Sequence, residues 1–136
     1  MELSQLKTVI MSQFIPTIEA IDLFCGAGGL SFGLKQAGVQ VKLGIDLDPA
    51  CAYPYEENTQ AKFLKRNIFD VKGSELESYY SPNAIRLLAG CAPCQPFSTL
   101  ANGRDTSADQ KWGLLGEFAR LVKELKPELV TMDEVP

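Results

Sequence analysis

Five short runs of β-branched, aliphatic and aromatic residues recur along the chain: TIEAIDLF (17–24), VQVKLGID (39–46), KFLKRNIF (62–69), AIRLLAG (84–90) and ELVTM (128–132). Each is short and bounded by glycine, proline or polar residues, so each reads as a strand. Helical segments separate them. LSFGLKQAG (30–38) stops at Gly38, a residue suited to a helix end. PACAYPYEEN (49–58) carries Pro49 in a first-turn position, and GSELESYY (73–80) is a shorter candidate. Leu114, Leu115, Phe118, Leu121, Val122 and Leu125 share one helical face that Pro127 terminates. Strands alternating with helices predict βαβ units, hence an α/β fold with a mostly parallel sheet covered by helices on both faces.

The remainder is organised around this repeat. Leu3, Leu6, Ile10 and Phe14 predict a short amphipathic helix within an N-terminal extension, residues 1–17, ended by Pro16. TLANGRDTSADQKWG (99–113) reads as a long polar loop. The last strand runs to Pro136 at the level where open α/β sheets bind their ligands, which predicts an incomplete domain over 18–136. At 136 residues and 46% hydrophobic, the chain suits one globular core. It has no membrane-length apolar run and no signal-peptide pattern, and four cysteines are too few for a disulfide scaffold, so a cytoplasmic, reduced protein is expected. A net charge of −4 argues against strong nucleic-acid binding by these residues alone.

Two stretches carry chemistry. In DLFCGAGG, Gly26, Gly28 and Gly29 lie between a strand and a helix, where glycine lets the backbone turn tightly and approach a ligand. Asp46 ends the next strand, 20 residues after Gly26, where a carboxylate can accept from both hydroxyls of a ribose. The pair reads as an adenosine-type site, although Ser31 stands where a third glycine completes the nicotinamide pattern. Leu47 is placed either to lie against an adenine ring or simply to end a strand. In GCAPCQPFS, Cys91 and Cys94 have C-x-x-C spacing. Zinc is not expected, because the chain has no histidine and Cys25 and Cys51 have no partner spacing. A redox pair lacks the helix that normally follows. Cys91 continues a buried strand as a small apolar residue. Pro93 and Pro96 restrict the backbone around Cys94, which suits a nucleophile that must be held in one pose.

DLFCGAGGLSFGL, GIDLDP, GCAPCQPFS and GLLGEFARLVKELKPELVTMDEVP resemble, in order, the first six motifs of the cytosine-C5 DNA methyltransferases. The resemblance covers residues 20–136 and implies a Rossmann-like S-adenosylmethionine-dependent fold, with S-adenosylhomocysteine as product and double-stranded DNA as substrate. It implies that Phe24, Gly26, Gly28, Gly29 and Leu30 hold the methionine part of the cofactor. Asp46 takes the ribose where the family usually has Glu, and Leu47 packs on adenine. Asn67 and Ile68 fall where an Asp-Ile pair reads the adenine edge. Cys94 is the nucleophile, with Pro93 and Gln95 shaping its loop. Ser98 approaches the DNA backbone; Arg104 and Lys111 are the nearest basic candidates, ordinary loop solubility being the alternative for each. A thiolate adding to cytosine C6 makes C5 nucleophilic, a carboxylic acid assists at N3, and the base must first leave the duplex.

Two departures from the family pattern bear on activity. Asp133 stands where the family has its catalytic Glu, and Glu134 where it has Asn, so the expected acid is Asp133 on a slightly moved loop or Glu134 reaching in, and an impaired site is the third alternative. The later motifs, including the base-holding Gln-x-Arg-x-Arg segment and the target-recognition region, are absent from these 136 residues, so a second chain is a candidate partner. A catalytically incompetent cofactor-binding fragment is the alternative reading, and a tRNA methyltransferase with the same motifs a further one.

Overall fold

The computed structural model describes residues 1–92 and 107–134. Among the described residues five strands, β1 (Ile18–Leu23), β2 (Gln40–Asp46), β3 (Lys62–Lys65), β4 (Ile85–Ala92) and β5 (Leu129–Glu134), form one sheet in the order β3-β2-β1-β4-β5. Every pairing is parallel. The helices are α1 (Leu3–Phe14), α2 (Gly29–Gln36), α3 (Ala52–Thr59), α4 (Gly73–Glu77) and α5 (Ser107–Leu125). The predicted α/β architecture is therefore the observed one. The chain starts in the middle of the sheet, builds outward to β3, then crosses back to lay β4 on the other side of β1. That reversal opens a crevice at the carboxyl ends of β1 and β4, the place where doubly wound sheets take ligands.

Strand alternation divides the core between the two faces of the sheet. Ile21, Leu23, Leu43, Ile45 and Leu88 pack with Leu76 and with Phe118, Leu121 and Leu125 of α5. On the other face a smaller cluster joins Cys25, Tyr55 and Ala61. Helix α1 forms as the spacing predicts, but Leu6, Val9, Ile10 and Met11 on it are exposed. Away from the crevice, buried Glu19 accepts from the Ser81 amide (2.8 Å) and hydroxyl (2.6 Å).

Three segments differ from the sequence reading. The third strand ends at Lys65 rather than Phe69, because Asn67 accepts a hydrogen bond from the Phe69 amide (3.1 Å) and caps a 3₁₀ turn, Ile68–Asp70. The second helix is split into a 3₁₀ turn, Pro49–Cys51, and α3, with Pro54 in the first turn of α3 where a missing N–H is tolerated. Helix α5 begins at Ser107, so Lys111 belongs to a helix and not to a loop. Ala108, Gln110 and Lys111 favour helix intrinsically but show no apolar periodicity. Among the described residues no helix is long and apolar enough to cross a membrane.

Candidate cofactor site at the sheet switch point

The turn after β1 is built from left-handed backbone. Phe24 (φ 57°), Gly26 (φ 53°) and Gly28 (φ 98°) all have positive φ, a region that is unfavourable for a bulky side chain. The two glycines are needed for different reasons. A Cβ on Gly26, or on Gly29, would meet nothing within 4 Å, so space is open beside the turn. A Cβ on Gly28 would lie 2.9 Å from the Thr59 methyl and 3.0 Å from the Tyr55 ring, so that glycine admits α3.

Ser31, in the third position of the glycine pattern, is fully buried in α2. Its hydroxyl donates to Asp22 of β1 at 2.6 Å and lies 3.0 Å from the Tyr55 hydroxyl of α3. Glycine there would sever this link between a strand and two helices. Tyr55 itself packs over Gly44 of β2, where a Cβ would come within 2.2 Å of its ring. Burial raises the Asp22 pKa to about 6, with repulsion from Asp46 adding to it and the Ser31 hydroxyl opposing it. The Asp22 Oδ1 atom has no hydrogen-bond partner among the described residues. Burial also pushes the Cys25 thiol well above its ordinary range, with Asp22 and Asp46 adding to the effect, so Cys25 is an inert packing residue.

Asp46 closes the turn from β2. Its Oδ2 accepts from the Gly26 amide (2.9 Å) and its Oδ1 from the Asp48 amide (3.0 Å). The carboxylate expected to face a ligand is thus also the stitch between β2 and the glycine turn, and each oxygen keeps one further lone pair for a hydroxyl donor.

Beside this stitch lies a cavity of about 270 Å³. Five predicted residues line it together: Phe24, Asp46, Leu47, Asn67 and Ile68. Leu47 is 61% exposed and sets an apolar side chain at the cavity. Gly26, Gly28, Gly29 and Leu30 occupy the adjoining turn and the start of α2. Four lining residues were not expected: Ile45, Arg66, Cys91 and Leu114. Cys91 is half-buried and lines the cavity, so it is not merely a buried strand residue. Leu114 was legible as the first residue of the apolar stripe that runs to Leu125, and Arg66 as the neighbour of Asn67; nothing in the sequence marked either as part of this wall.

Pro93, Cys94, Gln95, Ser98 and Arg104 lie outside the described residues. Cys94 follows β4 by two residues in sequence, and β4 ends at the cavity. Asp133, exposed near the end of β5, pairs in register with Cys91, and Glu134 with Ala92. The second strand end is therefore adjacent to the first.

A sequence model of the family described as C-5 cytosine-specific DNA methylase matches residues 18–136. Over 116 residues the chain is 47% identical to the Type II methylase M.HgiDII of Herpetosiphon aurantiacus, a match covering 85% of this chain and 32% of that protein. It is 36% identical over 118 residues to the Type II methyltransferase M.XorII of Xanthomonas oryzae pv. oryzae, covering 85% and 27%. A solved structure assigned as a prophage-encoded DNA modification methyltransferase of E. coli aligns with a TM-score of 0.71 at 29% identity, over 88% of this chain and 32% of that one. The chain thus spans about a third of the length of the relatives it matches. By its parallel sheet, by the glycine turn tied to an acidic strand end, and by a family match over nearly its whole length, the chain belongs to the C-5 cytosine-specific DNA methylase family.

Proposed function

We propose that residues 18–136 carry the cofactor-binding and nucleophile-bearing part of a DNA (cytosine-5-)-methyltransferase, with S-adenosylmethionine as donor and double-stranded DNA as substrate. The observation that carries this reading is the convergence of Phe24, Asp46, Leu47, Asn67 and Ile68 on one cavity at the switch point, beside the strand that leads to Cys94. The cavity fits an adenosine-bearing group. Its walls are largely apolar, as a purine requires, and open space beside Gly26 and Gly29 gives a chain of atoms room to pass the turn. Asp46 offers its remaining lone pairs to ribose hydroxyls. Phe24, Leu47 and Ile68 would exclude water from an adenine ring held there, and Asn67 would offer a polar group to it. When bound, S-adenosylmethionine supplies an electrophilic methyl group.

In this reading the cytosine is first rotated out of the duplex. The Cys94 thiolate adds to C6, forming a carbon–sulfur bond and pushing the ring electrons toward C5. Asp133 donates a proton or a hydrogen bond to N3 during that addition. After methylation of C5, a base removes the C5 proton, the carbon–sulfur bond breaks and the thiolate departs. Holding the base and reading its sequence context fall to polypeptide outside residues 1–136, continuous with them or supplied as a second chain. The Asp133–Glu134 pair, where relatives of this type carry Glu-Asn, favours a second reading, a cofactor-binding module without turnover.

The test combines this chain with the completing polypeptide and follows labelled methyl transfer to DNA. The wild type yields 5-methylcytosine, and Cys94→Ser yields none while retaining cofactor affinity. DNA carrying 5-fluorocytosine, which has no C5 proton to lose, leaves a stable adduct with the wild type only. Cofactor binding without transfer by the wild type, matched by Cys94→Ser, establishes the second reading instead. Transfer to tRNA and not to DNA identifies the wrong substrate.

A further inference from the structure

The wall formed by Asn67–Gly73 lies between β3 and α4. Its own bonds are those of its 3₁₀ turn, from the Asp70 amide to the Asn67 carbonyl (2.9 Å), the Val71 amide to the Ile68 carbonyl (3.2 Å) and the Phe69 amide to the Asn67 side chain (3.1 Å), and side chains of other elements bond the same backbone. From α5, Arg120 donates through Nη2 to the carbonyls of Ile68 (3.1 Å) and Val71 (2.8 Å). The rest of the same guanidinium is held in place, Nε by Glu117 (2.6 Å) and Nη1 by Glu124 (2.9 Å). The second oxygen of Glu124 accepts from the Gly73 amide at 2.6 Å. A side chain on Gly73 would collide with Glu124, its Cβ falling 2.5 Å from the Glu124 Cβ. From the opposite side Arg66 donates to the Asp70 carbonyl (3.0 Å) while held by Glu75.

We propose that Arg120 is a positioning residue for cofactor binding, holding from α5 the backbone that presents Ile68 to the cavity. The inference rests on the cofactor reading above. Ile68 is buried, lines the cavity and belongs to the main core cluster, so a shift of its carbonyl moves a wall of the site. Leu114 of α5 lines the same cavity, so the helix that holds the wall also forms part of it. Arginine suits the task because its planar fork presents several donors in fixed directions, enough to serve two carbonyls and two carboxylates at once. A lysine can reach only part of that set.

The experiment is calorimetric titration of the 136-residue chain with S-adenosylhomocysteine, the stable product. Arg120→Met keeps the aliphatic stem and removes the donors. It weakens binding roughly tenfold, the scale set by two carbonyls losing a charged donor. Arg120→Lys recovers part of the loss. Leu121→Val, in the core on the same helix, lowers the thermal midpoint while leaving affinity unchanged, which separates positioning from general destabilisation. Amide exchange without ligand reads the clamp directly: Phe69–Gly73 exchanges faster in Arg120→Met and at the wild-type rate in Leu121→Val. Wild-type affinity in Arg120→Met, or an affinity loss in Leu121→Val that tracks its stability, overturns the proposal. Failure of the wild type itself to bind overturns the cofactor reading and this inference with it.

Discussion

Asp22→Asn tests the buried network beneath the glycine turn. Asp22 is fully buried, the Ser31 hydroxyl is its one side-chain donor among the described residues, and its pKa stands at about 6. Facing it are the Tyr55 hydroxyl, the Cys25 thiol and, from β2, Asp46, none of which can neutralise it. In the unfolded chain an aspartate titrates near 3.9. Between these values the folded state binds the proton and the unfolded state does not, so stability falls as pH rises through the interval and is flat above it. About two pH units at 1.36 kcal/mol each correspond to about 3 kcal/mol, of which about 2 kcal/mol falls between pH 4.5 and 7.5. Asparagine keeps the shape and cannot titrate. Urea unfolding of both proteins across this range gives the stability difference at each pH, and contributions from other carboxylates cancel in it. The difference shifts by about 2 kcal/mol in favour of the asparagine variant as pH rises. Any constant offset from the new amide is irrelevant, because only the change with pH is read. A difference that stays constant from pH 4.5 to 7.5 means that Asp22 titrates as an ordinary carboxylate and refutes the argument.

Ser31→Gly introduces the familiar third glycine and nevertheless destabilises the fold by about 2 kcal/mol in denaturant unfolding, because a buried carboxylate loses its hydroxyl donor and keeps the amide of residue 31. Gly44→Ala and Gly33→Ala move in opposite directions. The first forces a methyl into the Tyr55 ring and costs about 2 kcal/mol or more, whereas the second fills open space on a helix and adds up to about 1 kcal/mol, both read as shifts in thermal midpoint. At Phe24 the glycine variant is more stable than the alanine variant by about 1 kcal/mol, the cost of positive φ, while both bind S-adenosylhomocysteine more weakly than the wild type.

Periodicity and turn residues were enough to read the layered fold. Ile21, Leu43 and Leu88 announce buried strands by composition, and the apolar stripe from Leu114 to Leu125 announces α5. They do not say that the chain begins mid-sheet and reverses after β3, because strand order is decided by which face each crossover packs upon. The start of α5 at Ser107 was hidden because a polar helical turn leaves no apolar trace. The retreat of β3 to Lys65 was hidden because a single side-chain bond from Asn67 outweighs the apolar run Ile68–Phe69.

Phe24, Asp46, Leu47, Asn67 and Ile68 were legible as positions on the cavity, Ile45, Arg66, Cys91 and Leu114 were not, and the reasons behind the turn were opaque. Gly26, Gly28 and Ser31 look like one degraded fingerprint, yet each answers a different neighbour: open space, the Tyr55 ring and the Asp22 carboxylate. Asp46 shows why such roles cannot be separated by spacing alone. Its distance from Gly26 in sequence suits a ribose, and the same distance lets it bind the Gly26 amide. A carboxylate one methylene shorter than the usual glutamate is thereby drawn toward the turn it stitches. In the proposed cofactor reading, ligand and fold would share the same two oxygens, and a ribose hydroxyl would approach along the lone pairs that Gly26 and Asp48 leave unused. On that reading the geometry of the turn, rather than the reach of the side chain, would set where a sugar sits.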